Sequence, residues 1–191
     1  MELQKLNVKL FVESRNAVPL TDFIDIFHSW IQATDGIYHD VADYSHMQSG
    51  PGIVLVANHA NVSIDESDNR RGLLYSQKRA LTGTAQERLR AVLRAALENV
   101  RQLENEPKLA GNFKLLGNEA IIAVNDRLTW PNTEESYAVL APEIERLAKT
   151  LFEERGVSLE REPEERRIFT VRIQASRAFA VDELLGRLDN L

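Results

Sequence analysis

The chain contains no cysteine. That one absence excludes disulfide scaffolds, zinc–thiolate sites, iron–sulfur ligation and a cysteine nucleophile together. Long hydrophobic runs are also missing. None approaches the roughly 20 residues of a membrane-spanning helix, and the opening MELQKLNVKLFVESR has no apolar stretch of signal-peptide length. Positive charge is not in excess either: 23 Lys and Arg stand against 29 Asp and Glu, a formal net charge of −6. General nucleic-acid binding calls for a basic patch, so the expectation is a cytoplasmic protein with neither a nucleic acid nor a membrane as partner. Signature motifs are absent as well. There is no phosphate loop of Walker type, no dinucleotide glycine fingerprint, no Gly-x-Ser-x-Gly elbow and no His-Glu-x-x-His helix.

What is present is ordinary for a globular protein: 191 residues, 43% hydrophobic and 27% charged. That length suits a single compact domain spanning 1–191. Leu6, Val8, Leu10 and Val12 alternate with Asn7, Lys9, Phe11 and Glu13, as in a strand with one covered face. Leu20, Phe23, Ile24, Phe27, Trp30 and Ile31 then recur at helical spacing. Tyr38–His46 and Ile53–Asp65 read as two strands across a Gly-Pro-Gly turn, and Leu73–Arg79 as another. A helix follows from about Thr84 to Glu104, striped by Leu89, Val92, Leu93, Ala96, Leu97, Val100 and Leu103. The second half repeats this grammar. Phe113–Leu116 and Ala120–Arg127 read as a hairpin through Gly117-Asn118, and a helix runs from about Thr133 to Glu154, with Pro142 predicting a kink or a delayed start. Val157–Arg161 and Ile168–Ala175 form a last hairpin, and a short helix closes the chain. The expected fold is α+β: a mixed, mainly antiparallel sheet with helices packed on one face.

Strand–helix–strand–strand units are discernible at about 1–65, 70–118 and 119–176, followed by the helix at 180–190. Arg15, Arg79 and Arg127 each end a strand and precede a Thr near a helix start, so duplication predicts equivalent positions for them. In topology the units resemble the vicinal-oxygen-chelate superfamily, whose paired strand–helix–strand–strand–strand modules hold a metal. The resemblance implies a metal centre. The first-strand position that often carries a metal-binding His in that family falls near Asn7, and the second unit is short of strands.

Two functional readings stay open. The first is a non-catalytic protein binding a small molecule or a protein partner, with Asn58, Asn61, Arg79, Arg127 and Trp130 as ligand-binding candidates. An Arg before a helix N-terminus suits an anion, and Trp130 lies in a polar loop. The second is a small His-based or metal-assisted enzyme. His39, His59 and Asp43 are its catalytic candidates, with Asp43 or Asp40 orienting an imidazole, and His39 or His59 is expected to line a cleft. No residue pattern specifies a cofactor or a particular metal. An antiparallel sheet covered on one side leaves the other free, so self-association as a dimer is expected, with Phe11, Thr170, Arg172 and Gln174 on the free face.

Overall fold

The alternation read in Leu6, Val8 and Leu10 builds a strand with two unlike faces, and that strand lies near the middle of the molecule. In the computed structural model, residues 2–13, 18–47, 50–152 and 156–189 are described. Their order is β1 (Leu6–Val12), α1 (Asp22–Ala33), β2 (Tyr38–Tyr44), β3 (Gly52–Ala57), β4 (Ala60–Asp65), β5 (Gly72–Gln77), α2 (Ala85–Glu104), β6 (Leu115–Val124), α3 (Glu134–Phe152), β7 (Val157–Arg161), β8 (Phe169–Ala175) and α4 (Val181–Asp189). One eight-stranded sheet takes the order β2-β3-β4-β5-β1-β6-β8-β7. Every neighbouring pair in it is antiparallel. The fold is α+β, and no helix among the described residues is long and apolar enough to cross a membrane.

Cross-strand register shows which side chains share a face. Val8 lies opposite Tyr75 and Ile122, and Ile122 opposite Val171. These belong to the helix-covered face, with Leu6, Leu10, Leu73, Val124 and Phe169. The stripe of α2, from Leu89 to Leu103, is buried in the same core. Each such leucine contributes about 1.5–3 kcal/mol on burial. Thr84 starts α2 with a capping box: its side chain accepts from the Glu87 N–H while the Glu87 carboxylate accepts from the Thr84 N–H.

Three expectations change. Ile53–Asp65 is two strands, β3 and β4, turning through Asn58-His59, and Ile53 and Leu55 face the helices opposite Ile64 and Val62. The hairpin expected at Gly117-Asn118 is continuous strand β6. Gly117 sits there at φ +75° against the Phe179 carbonyl, a position that a Cβ could not share. Helix α3 begins at Glu134, next to the expected Thr133, and runs through Pro142 without the delayed start given as an alternative. The sheet holds no parallel pair among its strands.

The path of the chain divides the sheet at β1 and β6. After β1, α1 crosses to the edge strand β2, and β3, β4 and β5 return until β5 pairs with β1. After β6, α3 crosses to the opposite edge strand β7, and β8 returns to pair with β6. Each half runs strand, helix, edge strand and return. This grouping is in two, where the sequence pattern suggested three overlapping units. Arg79 and Arg127 follow β5 and β6, which run in the same direction. Arg15 lies outside the described residues, as does part of the turn at 48–49.

Candidate functional site

The face of the sheet without helices carries Asn7, Lys9 and Phe11 from β1. Lys9 has Leu74 on one side and Ile121 on the other, and Ile121 is followed by Arg172 and Glu160. Asn7 lies between Ser76 and Ala123, with Thr170 beyond. The floor is thus a patchwork of apolar and polar side chains, with a cation on either side of Ile121.

Two loops roof this floor. The β4–β5 loop folds back over β1, because the Lys9 ammonium donates to the Ser67 and Arg70 carbonyls at 3.1 and 2.8 Å. Asp68 and Asn69 both take φ +57° in that loop, a left-handed conformation that short polar side chains tolerate better than most. The β7–β8 loop comes from the other end of the strands. Arg167 bridges the two loops, reaching Asp68 at 3.8 Å and Glu162 at 3.5 Å. Between roof and floor lies a cavity of about 690 Å³, lined by residues of β1, β5, β6, β7, β8 and both loops. Small-molecule sites occupy about 300–1,000 Å³.

Ion pairs hold the roof down. Lys9 and Asp65 meet at 2.5 Å with side chains 8% and 3% exposed, and Asp65 also accepts from the Ser67 hydroxyl and N–H. Glu119, on the open face of β6, receives both terminal nitrogens of Arg70 at 2.6 and 2.7 Å, plus a short hydrogen bond from Arg172. The Arg70 guanidinium lies 3.8 Å from the Phe11 ring centroid. That stacking explains why Phe11, expected among outward-facing residues, is only 2% exposed. Burial pushes the Glu119 carboxyl up, but hydrogen bonds and charge from Arg70 and then Arg172 prevail, and it titrates below its ordinary value. The hydrogen bonds to Glu119 hold the Arg70 guanidinium above its own.

Charge around the cavity is mostly paired. Lys9 is matched by Asp65, Arg161 by Glu134 at 2.6 Å, and Arg167 by the acids of the two loops. Arg70 and Arg172 share one carboxylate. Arg127 lines the cavity and makes no ion pair among the described residues. Glu160, beside Arg172 in register, supplies one further negative charge. Six cations of the lining face seven carboxylates once the partners Glu119, Glu134 and Glu164 are counted with Asp65, Asp68, Glu160 and Glu162, so the site has no positive excess and Arg127 stands out by lacking an ion pair among the described residues.

Comparison with protein-family models, curated proteins and solved structures finds no match to the chain. The site is therefore read from its own geometry. The residues do not fit the metal centre that the vicinal-oxygen-chelate resemblance implies. Asn7 is a weak donor at the position concerned, and the described residues contain no group of three His, Asp or Glu side chains that could hold an ion.

The residues singled out in the sequence are dispersed. His39 lies at the irregularity between Tyr38 and Asp40 on edge strand β2, and it is exposed. His59 is exposed in the tight β3–β4 turn, where its carbonyl accepts from the Lys78 and Arg79 N–H groups. Asp43 is occupied by Ser45, whose hydrogen bonds hold the carboxyl below its ordinary value. Asn58 donates to the Gly36 carbonyl at 3.4 Å. Asn61 lies on the open face opposite Ser76, its side-chain oxygen buried without a partner. Arg79 is exposed beyond β5. Trp130 is a core cap, 2% exposed, donating to the Glu2 carbonyl and packed against Phe169. Of the ligand-binding candidates, Arg127 alone lines the cavity.

Lys9, Phe11, Arg70, Glu119 and Arg172, which shape the site, come from four separate segments. The available signal was charge inside strands. Lys9 and Glu119 interrupt otherwise apolar stretches, and a buried charge needs a partner.

Proposed function

We propose that the chain is a non-catalytic binding protein that takes a small organic molecule onto the open face of its sheet, beneath the two bridged loops. The observation that carries this reading is the roofed cavity of about 690 Å³, with Leu74, Ile121 and Ala123 in its floor and charged side chains around them. A concave site with an apolar base and a few polar groups is the usual form of a small-molecule pocket. The charged groups nearest the floor are tied to one another, an arrangement suited to positioning a ligand. Histidine or metal-assisted chemistry at the first hairpin has less in its favour, since His39 and His59 are both open to solvent.

A thermal-shift screen of metabolite mixtures tests the proposal. A ligand at a hundred times its Kd adds about 2.7 kcal/mol of stability, which raises the Tm of a domain this size by roughly 5–10 °C. Ile121→Trp fills the floor and is expected to abolish that rise. A ligand whose shift survives in Ile121→Trp is bound elsewhere, and the proposal falls.

A further inference from the structure

We infer that the ligand is an amphipathic anion: an organic carboxylate whose charged end meets Arg127 and whose apolar body lies over Ile121 and Leu74. The inference rests on the binding role proposed above and narrows it to one chemical class. Two observations combine. Arg127 lines the cavity and makes no ion pair among the described residues, whereas every other cation of the lining has an acidic partner. The central floor is apolar, with Ile121 between Lys9 and Arg172 and with Leu74 on the far side of Lys9. A ligand bearing charge alone would leave that apolar surface wet.

The two ends of such a ligand would be recognised differently. A guanidinium binds a carboxylate through two parallel N–H···O bonds and so fixes its orientation. The apolar floor adds affinity in proportion to the area removed from water. Lys9, Arg70 and Arg172 are already engaged by Asp65 and Glu119, so they preserve the shape of the cavity and Arg127 is left to meet the anion.

The test compares four probes on the full chain by protein-observed NMR: octanoate, octanol, octylamine and inorganic phosphate. Octanoate is expected to shift the resonances of Ile121, Ala123 and Thr170 and to bind at least about tenfold more tightly than octanol or octylamine, a difference of one charge-assisted contact. Arg127→Gln is expected to remove that advantage and leave octanol binding unchanged. Arg127 is exposed beyond the end of β6, so the variant folds like the parent, and its amide spectrum checks this directly. Octanol binding as tightly as octanoate, with both lost in Ile121→Trp, would overturn the anion class and leave the cavity as a binding site. Phosphate matching octanoate would overturn the amphipathic part. No shift with octanoate up to about 10 mM, weaker than any useful affinity, would overturn the carboxylate assignment outright, and the metabolite screen then decides separately whether the cavity binds anything.

Discussion

Glu119→Gln is the sharpest single perturbation of the cavity. The variant keeps the shape of the side chain but removes the charge that holds Arg70 and Arg172 together. Glu119 is 5% exposed and accepts two hydrogen bonds from Arg70 and one from Arg172. Breaking a fully buried ion pair from one side costs about 3–5 kcal/mol. Here the two arginine side chains are 39% and 35% exposed, so water recovers part of their solvation and the expected loss is about 2–3 kcal/mol. With a urea m-value of about 1–3 kcal/mol/M, the midpoint falls by roughly 1–2 M with m unchanged. The acid limb provides a second reading. Because the native carboxyl titrates below its ordinary value, its contribution is complete above the unfolded-state pKa and fades as pH drops through the native one. The gap between parent and variant should therefore be widest near neutrality and close in acid. A midpoint change under about 0.2 M at pH 7 would refute the view that Glu119 ties the roof to the floor.

Further predictions concern the scaffold. Lys9→Met leaves Asp65 buried without its counter-charge and should cost about 3 kcal/mol in urea unfolding, with the double variant Lys9→Met, Asp65→Leu recovering most of it. Gly117→Ala forces a Cβ to 2.1 Å from the Phe179 carbonyl at φ +75° and should cost about 3 kcal/mol or more, whereas Gly36→Ala, at φ +69° with nothing within 4 Å, should cost about 1 kcal/mol. Light scattering after size-exclusion chromatography is expected to give the mass of a dimer, with Ile37, Tyr44 and Met47, the exposed apolar residues flanking or ending β2, as contributors to the contact; the mass of a single chain at high concentration would dismiss it. Trace-metal analysis of natively purified protein should show no stoichiometric zinc, iron or nickel, and finding one would restore the histidine reading of the first hairpin.

Strong periodicity made much of the fold legible. The α2 stripe and the alternation in β1 and β8 depend on spacing within one segment, and each was placed with little error. The break between β3 and β4 was visible as a change of phase. Apolar residues occupy both parities up to Ala57, and polar ones take the odd positions from His59 onward. Taking Ile53–Asp65 as one strand passes over that change, which marks a two-residue turn. Gly117-Asn118 misled in the opposite sense, because a left-handed glycine serves a tight approach to Phe179 as readily as a hairpin. The site was mostly illegible for a different reason. Glu119 meets Arg70 and Arg172 only once β1, β6 and β8 are in register and the β4–β5 loop has folded back, and neither condition leaves a local trace. Arg127 stands out in the sequence through its repeat with Arg79, although of the two only Arg127 lines the cavity.

The position of β1 also bears on how the chain reaches its fold. Phe11 pairs with Gly72, sixty-one residues later, and Leu6 with Val124, one hundred and eighteen residues later. The strands β2 to β5, by contrast, are joined by short turns and can zip up from neighbouring pieces. During synthesis at about 5–20 residues per second, β1 waits roughly 3–12 s for β5, the nearer of its two partners in sequence. It spends that interval with Leu6, Val8, Leu10 and Phe11 uncovered. A centre assembled from the earliest segment and two late ones gives high contact order and slow closure. Translation speed between residues 12 and 72, and the chaperones that meet the chain there, should therefore govern its yield more strongly than any change at the sheet's edges.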